Sequence, residues 1–198
     1  MRSVISCFSE AAQHRDPVID RFFMRVEFEE VEGHLPATDK LDEDFGDIAT
    51  RFDMQWNFFD LSKRPKLLLA VSRHGHCLND ILHRWSAGAL PADVVGVVSN
   101  HEDMRGITEW YGLDYFYLPL TPETKAAQEA AMLDIVTRKR VDVLGLARYM
   151  QILSPRMCEV MAGRVINIHH SFLPGFKGAK PYHQAYMRGV KIIGATAH

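Results

Sequence analysis

The sequence has little of several features that would mark a specialised class of protein. It has only three cysteines in 198 residues, and their odd number and wide spacing argue against a disulfide framework and for a reducing compartment. Lys and Arg (23) nearly balance Asp and Glu (25), so charge gives no case for nucleic-acid binding. No apolar run approaches the roughly 18 residues of a membrane span, and the N-terminus lacks a secretory signal. We therefore expect a cytoplasmic protein that binds neither nucleic acid nor membrane.

What the sequence does contain is enough apolar material for a sizeable core, at 47% hydrophobic residues. Residues 1–62 predict a ββαβ unit, in which two strands join through a turn at 14–17, a helix follows, and a last strand covers 56–61. The segment 62–66 is short and charged and contains a proline, so it is predicted as a linker. The predicted helix has an apolar face whose members are spaced by three and four residues: Leu41, Phe45, Ile48 and Phe52.

Residues 63–198 form the second predicted domain, in which short apolar runs alternate with helical segments. Runs that are apolar on both faces are typical of parallel strands covered by helices. Their alternation with helices indicates a doubly wound, mostly parallel α/β sheet. The predicted strands are 66–71, 93–98, 115–120, 141–147, 165–168 and 191–197.

Two helices of this domain have clear predicted starts. Thr121 is a predicted N-cap, and Pro122 follows at the first helical position, where an N–H is not needed. Ser154 and Pro155 repeat the same pattern. The inward face predicted for the first of these helices is Ala126, Ala130, Leu133 and Val136.

The predicted strand that starts at Val165 carries an amide and an imidazole. Asn167 and His169 lie two residues apart, so their side chains are expected on one face. An amide can polarise a carbonyl oxygen and an imidazole can move a proton near neutral pH, which together suit attack on an acyl group. Spacing alone favours a structural role for both. His170 and Ser171 follow, but neighbours in a strand point to opposite faces, so they are interpreted as shaping the next loop rather than as a nucleophile pair.

The loop after the first strand of the sheet contains His74, Gly75 and His76. Its position before a predicted helix suits either an anion site or a tight turn, and the sequence favours neither. A single glycine gives no dinucleotide fingerprint. The nearby Cys77 and His83 complete no familiar zinc spacing, so we expect no metal.

The loop before Ser154 is apolar and is predicted at the carboxyl edge of the sheet. Such a loop, with free backbone groups, can cradle a flat heterocycle, although a simple packed connection is the commoner role. Its four central residues are Met150, Gln151, Ile152 and Leu153.

Five stretches taken together resemble one known family: VSRHGHCL, GVVSNH, LPLTPETKAAQE, LARYMQILSP and NIHHSFLPGFKGAKPYHQAYMRGVKIIGATAH. They closely resemble formyltetrahydrofolate deformylases, which hydrolyse 10-formyltetrahydrofolate to tetrahydrofolate and formate for one-carbon and purine metabolism. The resemblance covers essentially the whole chain. It implies a formyltransferase-type fold for 63–198 and a partial ACT-type regulatory domain for 1–62, which would pair into a homo-oligomer.

The resemblance also implies roles for individual residues. Asn167 would bind the formyl oxygen, and His169 would transfer protons and stabilise the tetrahedral intermediate. His170 and Ser171 would contact the substrate. No metal or cofactor is implied, because the folate is itself the substrate. The pterin pocket would be lined, largely through backbone groups, by Met150, Gln151, Ile152 and Leu153.

Two departures from the family pattern matter. The family's catalytic aspartate would follow the strand that ends at His198, and its ACT-type domain begins with a strand and helix that have no match here. We therefore expect both ends to be truncated and this chain to be less active than a complete relative. A formyltransferase, which would need an amine acceptor, and a non-catalytic folate-binding or regulatory protein stay as alternatives.

Overall fold

The apolar patterns form two separate sets of elements in the computed structural model, which describes residues 7–29, 35–169, 181–190 and 196–197. The chain divides into Met1–Ser62, called here the hairpin unit, and Lys63–His198, called the sheet unit. In the hairpin unit, β1 (Cys7–Asp16) pairs antiparallel with β2 (Arg21–Glu29). The predicted hairpin is thus formed.

The turn of this hairpin lies at 17–20 rather than at the predicted 14–17. β1 continues through Asp16, whose Oδ1 accepts hydrogen bonds from the backbone N–H groups of Val18 at 2.8 Å and Ile19 at 3.3 Å. Asp20 then has a φ of 49°, a left-handed conformation that Asp adopts more readily than most residues. The carboxylate of Asp16 therefore organises a turn that the Arg15–Asp16–Pro17 sequence alone placed too early.

The hairpin unit continues with α1 (Thr38–Arg51), whose predicted apolar face is only partly correct. Leu41 is buried and Phe45 half-buried, but Ile48 and Phe52 are 50% and 63% exposed, and Ala49 is buried instead. The helix therefore packs through the predicted face in its first half, and in its second half Ala49 takes the buried position predicted for Ile48.

The strand predicted over 56–61 is wrong: residues 54–60 are irregular, and within the described part of this unit the sheet has two strands. The apolar–polar alternation that suggested a strand still determines which side chains of this segment pack inward. The ring of Phe45 lies 5.9 Å from that of Trp56 and 5.8 Å from that of Phe58, and Phe58 also lies 6.2 Å from Phe28. Alternate residues thus pack on α1 and β2 without a backbone ladder.

The sheet unit confirms the predicted doubly wound α/β fold. Its strands lie in the order β5-β4-β3-β6-β7-β8, and all neighbours are parallel except the antiparallel pair β7–β8. The strands are β3 (Lys66–Val71), β4 (Asp93–Ser99), β5 (Tyr115–Tyr117), β6 (Val143–Leu146), β7 (Val165–His169) and β8 (Thr196–Ala197). The helices are α2 (His76–Ser86), α3 (Arg105–Trp110), α4 (Lys125–Lys139), α5 (Pro155–Val160) and α6 (Pro181–Met187).

Strand β3 separates two apolar cores. Leu68 and Ala70 belong to a cluster that includes Met132 of α4 and Met157 of α5, whereas Leu69 and Val71 belong to a second cluster with Leu78 and Leu82 of α2. Successive side chains of a strand point to opposite faces, so a strand covered on both sides must be apolar throughout. That is why Lys66–Val71 appears as a continuous apolar run.

Helix α4 differs from its prediction in both its start and its buried face. It begins at Lys125 because the Thr124 hydroxyl accepts a hydrogen bond from Thr121 N at 2.8 Å and holds the preceding residues in a turn. Such local side-chain bonds compete with the helix ladder. Of the four residues predicted to face inward, Val136 is buried and Leu133 is half-buried, but Ala126 and Ala130 are exposed. The buried residues are Gln128, Glu129, Met132, Ile135 and Val136.

The remaining elements follow the sequence more closely. Ser154 caps α5 by accepting from Met157 N at 3.2 Å, and Pro155 occupies the first turn, as predicted. Ile166 of β7 is 56% exposed, so this strand is less buried than its alternating apolar pattern indicated. Among the described residues no helix is both long and apolar enough to cross a membrane.

Candidate functional site

The order of the strands places a topological switch point at the carboxyl ends of β3 and β6. From β3 the chain moves to β4 on one side, and from β6 it moves to β7 on the other side. The two connections diverge at this point, and open α/β sheets bind ligands where such a divergence occurs. The segment that follows β6, residues 147–154, is called here the site loop.

One buried hydroxyl attaches the site loop to the centre of the sheet. Ser72, which follows β3 and is 5% exposed, donates to Asn100 Oδ1 at 2.9 Å and accepts from Met150 N at 3.2 Å. The backbone N–H of Ala147 donates to the Ala70 carbonyl at 2.8 Å. The ends of three neighbouring strands, β4, β3 and β6, are thereby linked through Ser72.

The site loop keeps its backbone fixed while exposing apolar side chains. Met150 is 59% and Ile152 84% exposed, whereas Gln151 and Leu153 are half-buried. Tyr149 is buried, and its hydroxyl accepts a hydrogen bond from Gln128 Nε2 at 2.6 Å. Burial raises the pKa of Tyr149, so the phenol stays neutral. A hydrogen-bonded loop with apolar groups facing solvent is suited to bind a flat, partly apolar ligand.

Helix α4 supports the other end of the site loop. Lys125 Nζ donates to the carbonyl oxygen of Ile152 at 2.5 Å. Glu129, 7% exposed, accepts from Ser154 N at 2.9 Å through Oε1, and its Oε2 accepts from the Ser154 hydroxyl. A buried carboxylate is costly unless it is hydrogen-bonded, and Ser154 supplies that pairing.

Strand β7 brings one predicted side chain beside the site loop. Asn167 is half-buried, and its Cα is paired in register with Leu146, the last residue of β6. The backbone of His169 lies in the same strand, paired with Thr196 of β8. The side chain of His169 and the whole of His170 and Ser171 lie outside the described residues, so the roles predicted for these three stay predictions.

The loop after β3 carries basic side chains at the same edge of the sheet. Gly75 is the N-cap of α2, and a Cβ there would lie 2.4 Å from Met104 Sδ. His76 is exposed, and its Nε2 lies 3.3 Å from Arg148 Nη1. His74 is exposed as well. These positions are compatible with either the anion site or the tight turn that the sequence left open.

Several residues that shape the site were not singled out from the sequence. Lys125, Gln128 and Glu129 lie at positions i, i+3 and i+4 of α4, which share one helix face, and this polar spacing was the available signal. Ser72 and Asn100 each follow a strand and offered a weaker signal of the same kind. Among the described residues, no three His, Cys, Asp or Glu side chains are grouped so that they could hold a metal ion.

Comparison with known proteins identifies the protein family to which the chain belongs. Residues 65–198 match the family described as formyl transferase. The chain belongs to the formyl transferase family. Among its relatives, the formyltetrahydrofolate deformylase of Corynebacterium sp. (strain P-1) is 46% identical over 189 residues, which cover 96% of this chain and 66% of the relative.

Solved structures lead to the same relatives. A formyltetrahydrofolate deformylase from Pseudomonas syringae pv. tomato str. DC3000 matches with a TM-score of 0.86 and 46% identity, covering 97% of this chain and 64% of that one. Glycinamide ribonucleotide transformylase 1 from Geobacillus kaustophilus is more distant, with a TM-score of 0.63, 27% identity, and coverage of 69% and 74%. The predicted resemblance to formyltetrahydrofolate deformylases is confirmed. The chain spans just under two thirds of the length of the two deformylases.

Proposed function

We propose that the protein hydrolyses 10-formyltetrahydrofolate to tetrahydrofolate and formate, which supplies formate for one-carbon and purine metabolism. The observation that carries this proposal is the position of the site loop. It lies at the switch point where the connections from β3 and β6 diverge, and it is attached to the sheet through Ser72, with Asn167 on the adjacent strand. A pterin ring would lie on the loop, and the formyl group would reach the end of β7.

In this proposal Asn167 and His169 have different roles in the reaction. The amide of Asn167 donates a hydrogen bond to the formyl oxygen, on which negative charge develops as water adds to the formyl carbon. His169 accepts a proton from that water and returns it to the leaving nitrogen when the carbon–nitrogen bond breaks. His170 and Ser171 contact the substrate. Met150, Gln151, Ile152 and Leu153 line the pterin pocket, and neither metal nor cofactor is required.

Substitution of Asn167 tests the proposal. Asn167→Ala is expected to lower formate release from 10-formyltetrahydrofolate by roughly 10²–10³-fold, since one oxyanion donor is lost, while folate binding changes much less. The matched control is Asn57→Ala, an exposed amide in the hairpin unit. Formate is measured with a coupled dehydrogenase assay. An equal loss in both variants, or none in either, would remove Asn167 from the mechanism.

A parallel experiment addresses the imidazole. His169→Ala is expected to reduce turnover by roughly 10²–10⁴-fold, the usual contribution of general acid–base assistance, with an exposed histidine, His183→Ala, as control. The dissociation constant for folate should change little, because His169 acts on the formyl carbon and not on the pterin. Unchanged turnover in His169→Ala would contradict its role.

The two alternatives give different results in the same assays. A formyltransferase would consume 10-formyltetrahydrofolate only when an amine acceptor is added, and the Geobacillus transformylase is the kind of structure that favours it. A non-catalytic folate-binding protein would bind folate and release no formate, with or without an amine. The higher identity to deformylases, 46% against 27%, favours hydrolysis.

The hairpin unit is proposed to be an ACT-like regulatory domain through which copies of the chain form a homo-oligomer. Its support is the exposure of large apolar side chains, among them Phe22 at 61% and Phe23 at 50% in β2, since extended apolar patches mark interaction surfaces. Sedimentation analysis tests this proposal, and a monomer at all concentrations would contradict it. We place the reaction in the cytoplasm, because the few, widely spaced cysteines suit a reducing compartment.

A further inference from the structure

Lys125 stands apart from the other two cations of helix α4. Arg138 pairs with Asp134 at 2.7 Å and Lys139 with Asp114 at 2.5 Å, so both are neutralised by carboxylates. Lys125 instead donates to a neutral carbonyl, that of Ile152 in the site loop, at 2.5 Å. Charge neutralisation therefore does not explain where the Lys125 ammonium lies, whereas control of the loop backbone does.

The hydrogen bond from Lys125 fixes the orientation of a whole peptide group, and not only the position of the Ile152 carbonyl oxygen. The peptide group that joins Ile152 to Leu153 is planar and trans, so its C=O and N–H point in opposite directions. When Lys125 holds the Ile152 carbonyl towards α4, the Leu153 N–H is directed away from α4. The orientation of a backbone donor in the middle of the site loop is thereby set by a side chain on a neighbouring helix.

The other contacts of α4 with the loop hold its ends. Gln128 and Glu129 are buried, at 5% and 7% exposure, and they bond to Tyr149 and Ser154. Lys125 is half-buried and bonds between these two points. It is therefore the contact that can change the loop centre while the loop ends stay attached.

We propose that Lys125 is a positioning residue that sets folate affinity by orienting the Ile152–Leu153 peptide for the pterin. The inference rests on the proposed function for the identity of the ligand. Lys125 contacts the loop backbone and not the reacting atoms, so it acts on binding and leaves the chemical step unchanged.

Lys125→Met tests the inference, because it keeps an unbranched side chain and removes the donor. We expect the dissociation constant and the KM for folate to rise about tenfold, the effect of losing one hydrogen bond to a charged group, with kcat changed less than twofold. Lys125→Arg, which restores a donor, should return both values to within about threefold of the parent. Lys139→Met removes a cation from the same helix, and both values should stay at the parent level.

Amide hydrogen exchange of residues 150–153 in the ligand-free protein provides a second readout. We expect faster exchange in Lys125→Met than in the parent and in Lys139→Met. Unchanged exchange and unchanged folate affinity in Lys125→Met would overturn the inference. If the parent binds no folate, the proposed function fails, and the exchange measurement still decides whether Lys125 positions the loop: faster exchange supports it and unchanged exchange overturns it.

Discussion

Large apolar side chains form two buried cores in the sheet unit, whereas most of the described ones in the hairpin unit are exposed. Leu68, Leu69 and Leu144 have no exposed surface, whereas Phe23 and Phe59 are 50% and 79% exposed. The difference follows from the number of layers. A sheet with helices on both faces removes two sets of side chains from water, but a two-stranded hairpin with one helix cannot, and isolated hairpins are marginally stable. The sheet unit is therefore expected to hold most of the stability of the chain.

The largest predicted effect is the loss of a core leucine from the sheet unit. Leu144→Ala should lower the free energy of unfolding by about 2–5 kcal/mol, because it leaves a cavity between β6 and the helices of its cluster. Phe23→Ala removes a larger side chain from a half-exposed position and should lower it by about 1 kcal/mol or less. Urea unfolding followed by circular dichroism compares the two. Equal losses would mean that the two units do not differ in the way their burial indicates.

Two neighbouring phenylalanines of the hairpin unit differ in their packing, so they test whether burial decides how much a side chain stabilises this unit. Phe58 makes edge-to-face contacts with Phe28 and Phe45, while Phe59 is 79% exposed. Each such ring pair contributes about 0.5–1.5 kcal/mol beyond burial, so Phe58→Ala should destabilise this unit by about 1–3 kcal/mol. Phe59→Ala, its matched control, should have little effect on thermal unfolding. A stronger effect at Phe59 would show that its exposed ring lies in an interface between copies.

The smallest predicted effect concerns alkaline pH in the sheet unit. Burial raises the pKa of Tyr149 above the ordinary value of 10.0, so the folded state keeps the neutral phenol while the unfolded state ionises. The stabilisation is fully present below about pH 10 and is lost as the pH rises towards the folded pKa. Urea midpoints at pH 8 and pH 11 should show this loss. Tyr149→Phe should reduce the loss, and Tyr186→Phe, at a 79% exposed position, should not.

What the sequence predicted well is what depends on neighbouring residues. The N-cap at Ser154 followed by Pro155 is local chemistry, and the fully apolar run of β3 reports burial on both faces. The position of Asn167 within strand β7 followed from the same kind of pattern. Together with the family resemblance, these signals were sufficient for the fold of the sheet unit, and the roles of the predicted site residues stay predictions.

What the sequence did not predict depends on distant partners. Gln128 and Glu129 are polar yet buried, because they bond to Tyr149 and Ser154. The hydrophobic pattern therefore selected only part of the buried face of α4: Val136 is buried as predicted, but Ala126 and Ala130 are exposed. Residues 56–61 show the apolar–polar alternation of a strand. A strand also needs a neighbouring strand to bond with, and no local pattern reveals whether one is present. Ser72 is a lone serine in sequence and becomes central only when the ends of β3, β4 and β6 meet.

The hydrogen bonds of the Ser72 hydroxyl also have a consequence for the order of folding. Its bond to Asn100 spans 28 residues and its bond from Met150 spans 78. The entropic cost of closing such segments must be met before the contacts can form. We therefore expect the two halves of the sheet to pair before the site loop acquires its shape, which would make this loop one of the last parts of the sheet unit to become ordered. A substitution at Ser72 would consequently change the unfolding rate more than the folding rate.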